Sequence, residues 1–219
     1  FNSDIPSTGT GLAASSSYMV AAIAAALDFL GHDWSQSEIC DLAIQLERRF
    51  NPLTGYQDAY GCGIGGLKRF NFNKYGNVSI QFLKSRILDN LSISLIPTGL
   101  KRSSTNILST IDAEKSLALL NDVENLVICQ NVEEFCTVIN TAWENKKKIS
   151  ESILNDSISK LDEKLKSYCE GPHSARKLLG AGGGGYFLVM CNSGDRLSSK
   201  INGTVPIKID NEGVRVYAN

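Results

Sequence analysis

The sequence predicts an α+β protein, with helices and strands grouped in blocks rather than alternating one for one. Three observations carry this reading. An alanine-rich run from Ser15 to Leu30 meets no helix breaker until Gly31. The stretches "LKRFNF", "VSIQFL" and "LSISLIP" alternate apolar and polar residues at the period of a strand. From about residue 131 to 170 the pattern turns helical and charged, and then "GAGGGG" leads into the apolar run "YFLVMC".

The 219 residues suffice for a substantial core, in one large domain or two small ones. A hydrophobic fraction of 42% and a charged fraction of 21% are those of an ordinary soluble globular protein. The formal net charge of −1 gives no global attraction to nucleic acid or to an anionic membrane surface, so neither is expected as a partner. No apolar run reaches the ~18 residues of a membrane span, and neither a span nor a signal peptide is expected from this sequence. The six cysteines are Cys40, Cys62, Cys129, Cys136, Cys169 and Cys191; none form a C-x-x-C pair, and the only histidines are His32 and His173. A zinc site is therefore not expected, and the thiols read as reduced residues of a cytoplasmic protein. The chain opens on "FNSDIP" with no initiator methionine. An N-terminal portion is expected to precede it.

The first helix is expected as a buried one, ending at Gly31. In "SQSEICDLAIQLERRF", Ser35 and Glu38 form a capping box, and Ile39, Leu42, Ala43 and Leu46 give the apolar face of a second helix. "NPLTGYQDAYGCGIGG" is a loop by its proline and glycine content, with room for a short helical turn around Asp58 to Tyr60. "NKYGN" supplies the turn between the first two strands. Residues from about 110 to 123 are helical in pattern, and "WENKKK" in the next block is expected as a solvated helix face. Gly171-Pro172 breaks the last helix, and "VPIKID" and "GVRVYA" look like a closing hairpin.

The segment "GTGLAASSS", residues 9 to 17, stands directly before the first helix. A helix N-terminus offers unpaired amides and the positive end of the macrodipole. A glycine-rich approach lets an anion come close, so the pair makes a phosphate site. No lysine follows, which excludes a G-x-x-x-x-G-K-[ST] loop, and no G-x-G-x-x-G is present.

Read together, four blocks give a more specific signal. "DIPSTGTGLAASSS" resembles the second motif of the GHMP kinase superfamily, usually written P-x-x-x-G-L-G-S-S-A-A. "KLLGAGGGGYFLV" resembles the third. "GYQDAYGCGIGGLKRFNF" and "IPTGLKRSSTNIL" are similar to blocks of the sugar-kinase branch, as is the closing "GVRVY". The nearest subfamily is the D-glycero-D-manno-heptose 7-phosphate kinases, with fucokinases close by. The resemblance implies a GHMP kinase fold: residues 1–88 as the C-terminal part of the ATP-binding N-terminal α/β domain, and 89–219 as a ferredoxin-like α+β domain. It also implies a preceding portion of roughly a hundred residues, ordinary for a subdomain. Two departures stand out: Ala13 and Ala14 replace the motif's Gly-Ser, and one extra residue lies between Pro6 and Gly11.

The resemblance implies ATP and Mg²⁺ as cofactors. It assigns the nucleotide phosphates to backbone amides of Gly9, Gly11, Leu12, Ala13, Ala14, Ser15 and Ser16, and the metal to Ser15 and Glu47. It makes Asp58, eleven positions after Glu47, the catalytic carboxylate that takes the substrate hydroxyl's proton. Tyr60, beside Asp58, suits a sugar face. Gly182 and Gly183 fall at the substrate edge, and Arg102 is placed to grip an anionic substituent. Without the resemblance, Glu47, followed by Arg48 and Arg49, reads as a surface ion pair, Asp58 as a turn residue, the glycine loop as a tight turn, and Arg102 as an exposed loop arginine.

The implied activity is ATP-dependent phosphorylation of a hydroxyl on a sugar or sugar phosphate, first a heptose 7-phosphate. A fucokinase or galactokinase-like small-molecule kinase is the alternative. A non-catalytic GHMP-like binding protein is a third reading, for which Ala13 and Ala14 speak. A homodimer is left open.

Overall fold

A computed structural model describes residues 10–73, 75–101, 107, 110, 112–192 and 201–217. The chain divides into two compact units, one of residues 13–84 with the stretch from 209, the other of residues 8–12 and 85–208. The closing stretch of the chain thus groups with the first unit.

The first unit packs three helices beside a two-stranded antiparallel sheet. Helix α1 (Ala14–Phe29) closes in a Schellman motif: Gly31 N–H donates to Asp28 O and His32 N–H to Leu27 O, both at 3.0 Å. It buries one stripe, Ala14, Ser16, Val20, Ile23 and Ala24, while Phe29 is 89% exposed. The fully buried helix expected from composition is therefore half-buried, because alanine carries no periodic signal of which side faces in. Helix α2 (Gln36–Glu47) has the expected capping box, with Ser35 and Glu38 bonded both ways. Its buried residues are Ile39, Cys40, Ala43, Ile44 and Glu47, and Leu42 lies 38% exposed. The face is rotated from the one expected, and the i, i+4 row Ile39–Ala43–Glu47 carries a carboxylate inward.

Helix α3 (Gln57–Gly63) is short and lies against both others. A Cβ on Gly63 would stand 2.3 Å from Cys40 Sγ, so only glycine admits this approach. Strands β1 (Lys68–Phe72) and β2 (Val78–Phe82) pair in register from Lys68↔Phe82 to Phe72↔Val78 across the expected turn.

The unit closes on the chain's last described stretch. Gly66 N–H donates to Asp210 O at 2.7 Å, Val214 N–H to Gly63 O at 2.9 Å, and Ile64 bridges Gly213. The closing hairpin expected at "VPIKID" and "GVRVYA" does not form. Alternation identifies strand-like backbone but not its partner, and here the two halves pair in different units.

The second unit is a four-stranded sheet, ordered β4-β5-β3-β6, from β3 (Leu91–Pro97), β4 (Ala175–Leu178), β5 (Tyr186–Asn192) and β6 (Val205–Ile207). All neighbours are antiparallel, the split order of the expected ferredoxin-like sheet. Between β3 and β4 run α4 (Ala113–Ile128), α5 (Val132–Lys146) and α6 (Asp156–Tyr168). Asp112, Asn131 and Asn155 cap them through side-chain oxygens. The core gathers Trp143, Phe187, Ile96, Ile153, Ile158 and Leu165.

"WENKKK" is not a merely solvated face. Trp143 is fully buried, its Nε1–H donating to Asp162 Oδ1 at 2.9 Å, and Lys147 pairs with Asp162 Oδ2 at 3.0 Å. Among the described residues no helix is long and apolar enough to cross a membrane.

Candidate active site

Among the described residues no side chain caps the start of α1, and its first turn holds no acidic residue. The first intrahelical bond runs from Ser17 N–H to Ala13 O at 2.9 Å. The amides of Ala14, Ser15 and Ser16 precede it, which leaves them the donors a helix turns toward an anion.

Ala13 is the N-cap and has φ 56° and ψ 30°, a left-handed conformation that no other non-glycine residue adopts among those described. The motif's glycine at this place is thus matched by an alanine held in glycine's conformation, at a strain of about 1–2 kcal/mol. Gly11 also has positive φ, 72°. The Leu12 amide donates to Thr10 Oγ1 at 3.3 Å, so it serves its own loop. Gly9 lies outside the described residues.

Glu47 ends α2 on its buried stripe and is 7% exposed. Ser15 Oγ donates to its Oε1 at 2.8 Å and Ser16 Oγ to its Oε2 at 2.7 Å. Its neighbour Arg48 turns elsewhere, donating to Thr54 O at 3.0 Å and lying over the Tyr56 ring at 4.7 Å. Among the described residues Glu47 has no ion-pair partner. The surface ion pair that its arginine neighbours suggest is therefore excluded. A buried carboxylate with hydroxyls on both oxygens and no cation beside it is a hard, all-oxygen donor set. Ser15 and Glu47 fit Mg²⁺, which takes one or two protein ligands and fills the rest with phosphate and water. No group of three or more His, Cys, Asp or Glu side chains among the described residues could hold a metal alone.

Asp58 is exposed in the first turn of α3. Its charge and that of Glu47 meet at Cys62, whose thiol is pushed up to about 11, first by burial, then by Asp58, then by Glu47. Cys62 Sγ also faces Ala13 O at 3.8 Å. The thiol thus feels the charge of both carboxylates and touches the N-cap residue of α1. The cysteine carried no motif signal and sequence reasoning missed it.

Tyr60 is placed differently from the expectation. It is 3% exposed, its hydroxyl donates to Asp41 Oδ1 at 2.8 Å, and its ring meets Phe70 and Phe72 edge-on. Burial first, then the Asp41 bond, raises its phenol well above the usual range. Tyr60 is a core residue with no ring face to give a sugar.

In the second unit, Gly182 and Gly183 answer packing. A Cβ would meet Ile153 Cα at 2.9 Å and Ile107 Cδ1 at 2.4 Å respectively, and Gly183 N–H donates to Ile153 O at 3.0 Å. Gly185 lies so close to Thr10 that a Cβ would stand 2.3 Å from its carbonyl oxygen, which ties the glycine loop to the segment before α1. Arg102 lies outside the described residues.

Residues 1–66 match the GHMP kinases N terminal domain. The matched stretch contains α1, Glu47 and Asp58. Among curated relatives, D-glycero-alpha-D-manno-heptose 7-phosphate kinase of Campylobacter jejuni is 28% identical over 202 residues, covering 85% of this chain and 58% of that protein. L-fucokinase/L-fucose-1-P guanylyltransferase of Bacteroides fragilis is 26% identical over 201 residues, covering 83% of this chain and 21% of that protein. The chain therefore spans only part of the length of either relative. A solved mevalonate kinase matches with a TM-score of 0.74 at 19% identity, over 96% of this chain and 68% of that one. The fold is that of the GHMP kinases.

Proposed function

We propose that this chain is the nucleotide- and metal-binding part of a sugar kinase, which transfers the γ-phosphoryl group of ATP to a hydroxyl of a heptose 7-phosphate. The observation that carries the reading is the buried Glu47 carboxylate, hydrogen-bonded by Ser15 and Ser16 at the start of α1 and, among the described residues, with no cation beside it. The similarity to the heptose 7-phosphate kinase of Campylobacter jejuni supports the substrate.

In this mechanism the amides of Ala14, Ser15 and Ser16 bind phosphate oxygens, and the α1 dipole favours their charge. Ser15 and Glu47 would hold Mg²⁺, which would supply positive charge against the phosphate oxygens. Asp58 orients the sugar hydroxyl and accepts its proton as the phosphate arrives. Arg102 is proposed to grip the substrate's own phosphate, because a guanidinium matches its oxygens in a fork.

The test is a coupled ADP-release assay of the full-length protein against heptose 7-phosphate, fucose, galactose and their phosphates. Turnover on heptose 7-phosphate alone supports the reading. A fucose substrate is the second reading, favoured by the similarity to L-fucokinase, and preference for fucose would establish it in place of the first. Nucleotide binding with no turnover on any sugar would leave a non-catalytic binding protein, the role for which the strained Ala13 speaks.

A further inference from the structure

We infer that the Ser16 hydroxyl is a positioning group that sets the carboxylate of Glu47 for its metal, an inference that rests on the kinase reading above. The two oxygens of Glu47 are held from different sides. Oε1 takes its 2.8 Å bond from Ser15, which is exposed, whereas Oε2 takes its 2.7 Å bond from Ser16, which is only 3% exposed. Ser16 heads the buried stripe of α1, with Val20 and Ala24 following at i+4 and i+8, and Glu47 ends the buried stripe of α2. The bond between Ser16 and Oε2 therefore joins the inner faces of two packed helices, out of a solvent-borne ligand's reach.

The last torsion of a glutamate is broad, so a carboxylate anchored at one oxygen still swings. Ser16 removes that freedom. A cation held by Ser15 and Oε1 leaves the Ser16 bond to Oε2 in place, so Ser16 acts through Glu47 and not on the metal. Groups that orient a ligating carboxylate in this way govern metal affinity. The hydroxyl is a feature of this chain beyond the motif, which carries alanine where Ser16 and Ser17 stand.

The test uses Mn²⁺ alone, titrated into the full chain and followed by the electron paramagnetic resonance of the free ion, for the unsubstituted protein and for Ser16→Ala, Ser17→Ala and Glu47→Gln. Among the described residues Ser17 Oγ bonds only to the Ala14 carbonyl within its own helix, at 2.9 Å, so it controls for general loosening of α1. The expected result is a roughly 10-fold or greater rise in the Mn²⁺ dissociation constant for Ser16→Ala. Ser17→Ala should hold the unsubstituted value, and Glu47→Gln should lose saturable binding. If Glu47→Gln loses binding while Ser16→Ala stays within twofold of the unsubstituted chain, the role of Ser16 is overturned and the metal site stands. If Ser17→Ala weakens binding as much as Ser16→Ala, the effect is helix loosening and the positioning role is likewise overturned. No saturable binding by the unsubstituted chain, or equal binding by Glu47→Gln, overturns the metal site and this inference with it.

Discussion

Asp58 and Tyr60 sit two residues apart on one short helix and meet opposite fates. Residues at i and i+2 point to different sides of a helix. Once Tyr60 enters the core beside Phe70, Asp58 must face outward. The block "YQDAY" named both residues but, read as a loop, gave no way to separate them. Replacing Asp58 by alanine should lower turnover of the full-length enzyme by about 10²–10⁴ while nucleotide affinity stays near its original value. Steady-state kinetics paired with nucleotide titration checks this, and unchanged turnover would remove Asp58 from the chemistry. Glu47 shows the reverse lesson. Its arginine neighbours in sequence suggested the surface, yet the helical row through Ile39 and Ala43 draws it inside. A second substitution belongs at this scale. Ala13→Gly relieves a left-handed alanine, offset in part by glycine's larger loss of backbone freedom, so it should stabilise the protein by about 0.5–1 kcal/mol. Urea denaturation measures the change, and a loss of stability would mean that the alanine methyl contributes packing that outweighs its strain.

At the level of elements, what could be read depended on how much each residue type says about its surroundings. The capping box at Ser35 and Glu38 is a local device, made of the residues that spell it, and it appears in the structure as written. The turn at "NKYGN" is local too, and Gly76 N–H bonds back to Asn73 O at 3.0 Å. Alanine in α1 and the alternating residues near the chain's close say only that a helix or an extended strand is acceptable. Which face is covered, and by what, is decided by distant residues. Gly63 is the clearest such case, because its need for glycine comes from Cys40, in another helix. Gly63→Ala should therefore cost about 1–3 kcal/mol, the usual range for overpacking a tight contact. Cys40→Ala in the same chain should recover part of that cost, and a double-mutant cycle from denaturation curves reads the coupling. Strictly additive losses would mean that the two helices shift apart without resistance.

Across the described residues, several thiols share one electrostatic habit. Burial is the first cause in each: Cys40 is pushed from 9.0 up to about 12, Cys62 from 9.0 to about 11, and Cys136 from 9.0 to about 11. A raised folded-state value means that the unfolded chain loses its protons first. Their contribution is complete below pH 9 and is lost as pH rises through about 11 to 12. Lys68 and Lys177 are lowered by burial and work in the opposite sense over the alkaline range. The thiols are the larger set, so the melting temperature should fall between pH 9 and 11, and fall less steeply in a Cys40→Ala/Cys136→Ala variant. Parallel curves for the two proteins would assign the alkaline loss to other groups. The return of Gly213 and Val214 to Ile64 and Gly63 bears on synthesis as well. A ribosome delivers Gly63 long before it delivers Val214, so the helices with Glu47 and Asp58 wait, one edge unpaired, while the entire four-stranded sheet is made. An early stop codon a few residues before Gly213 would spare every residue of that sheet and still leave the unit that carries Glu47 and Asp58 unfinished.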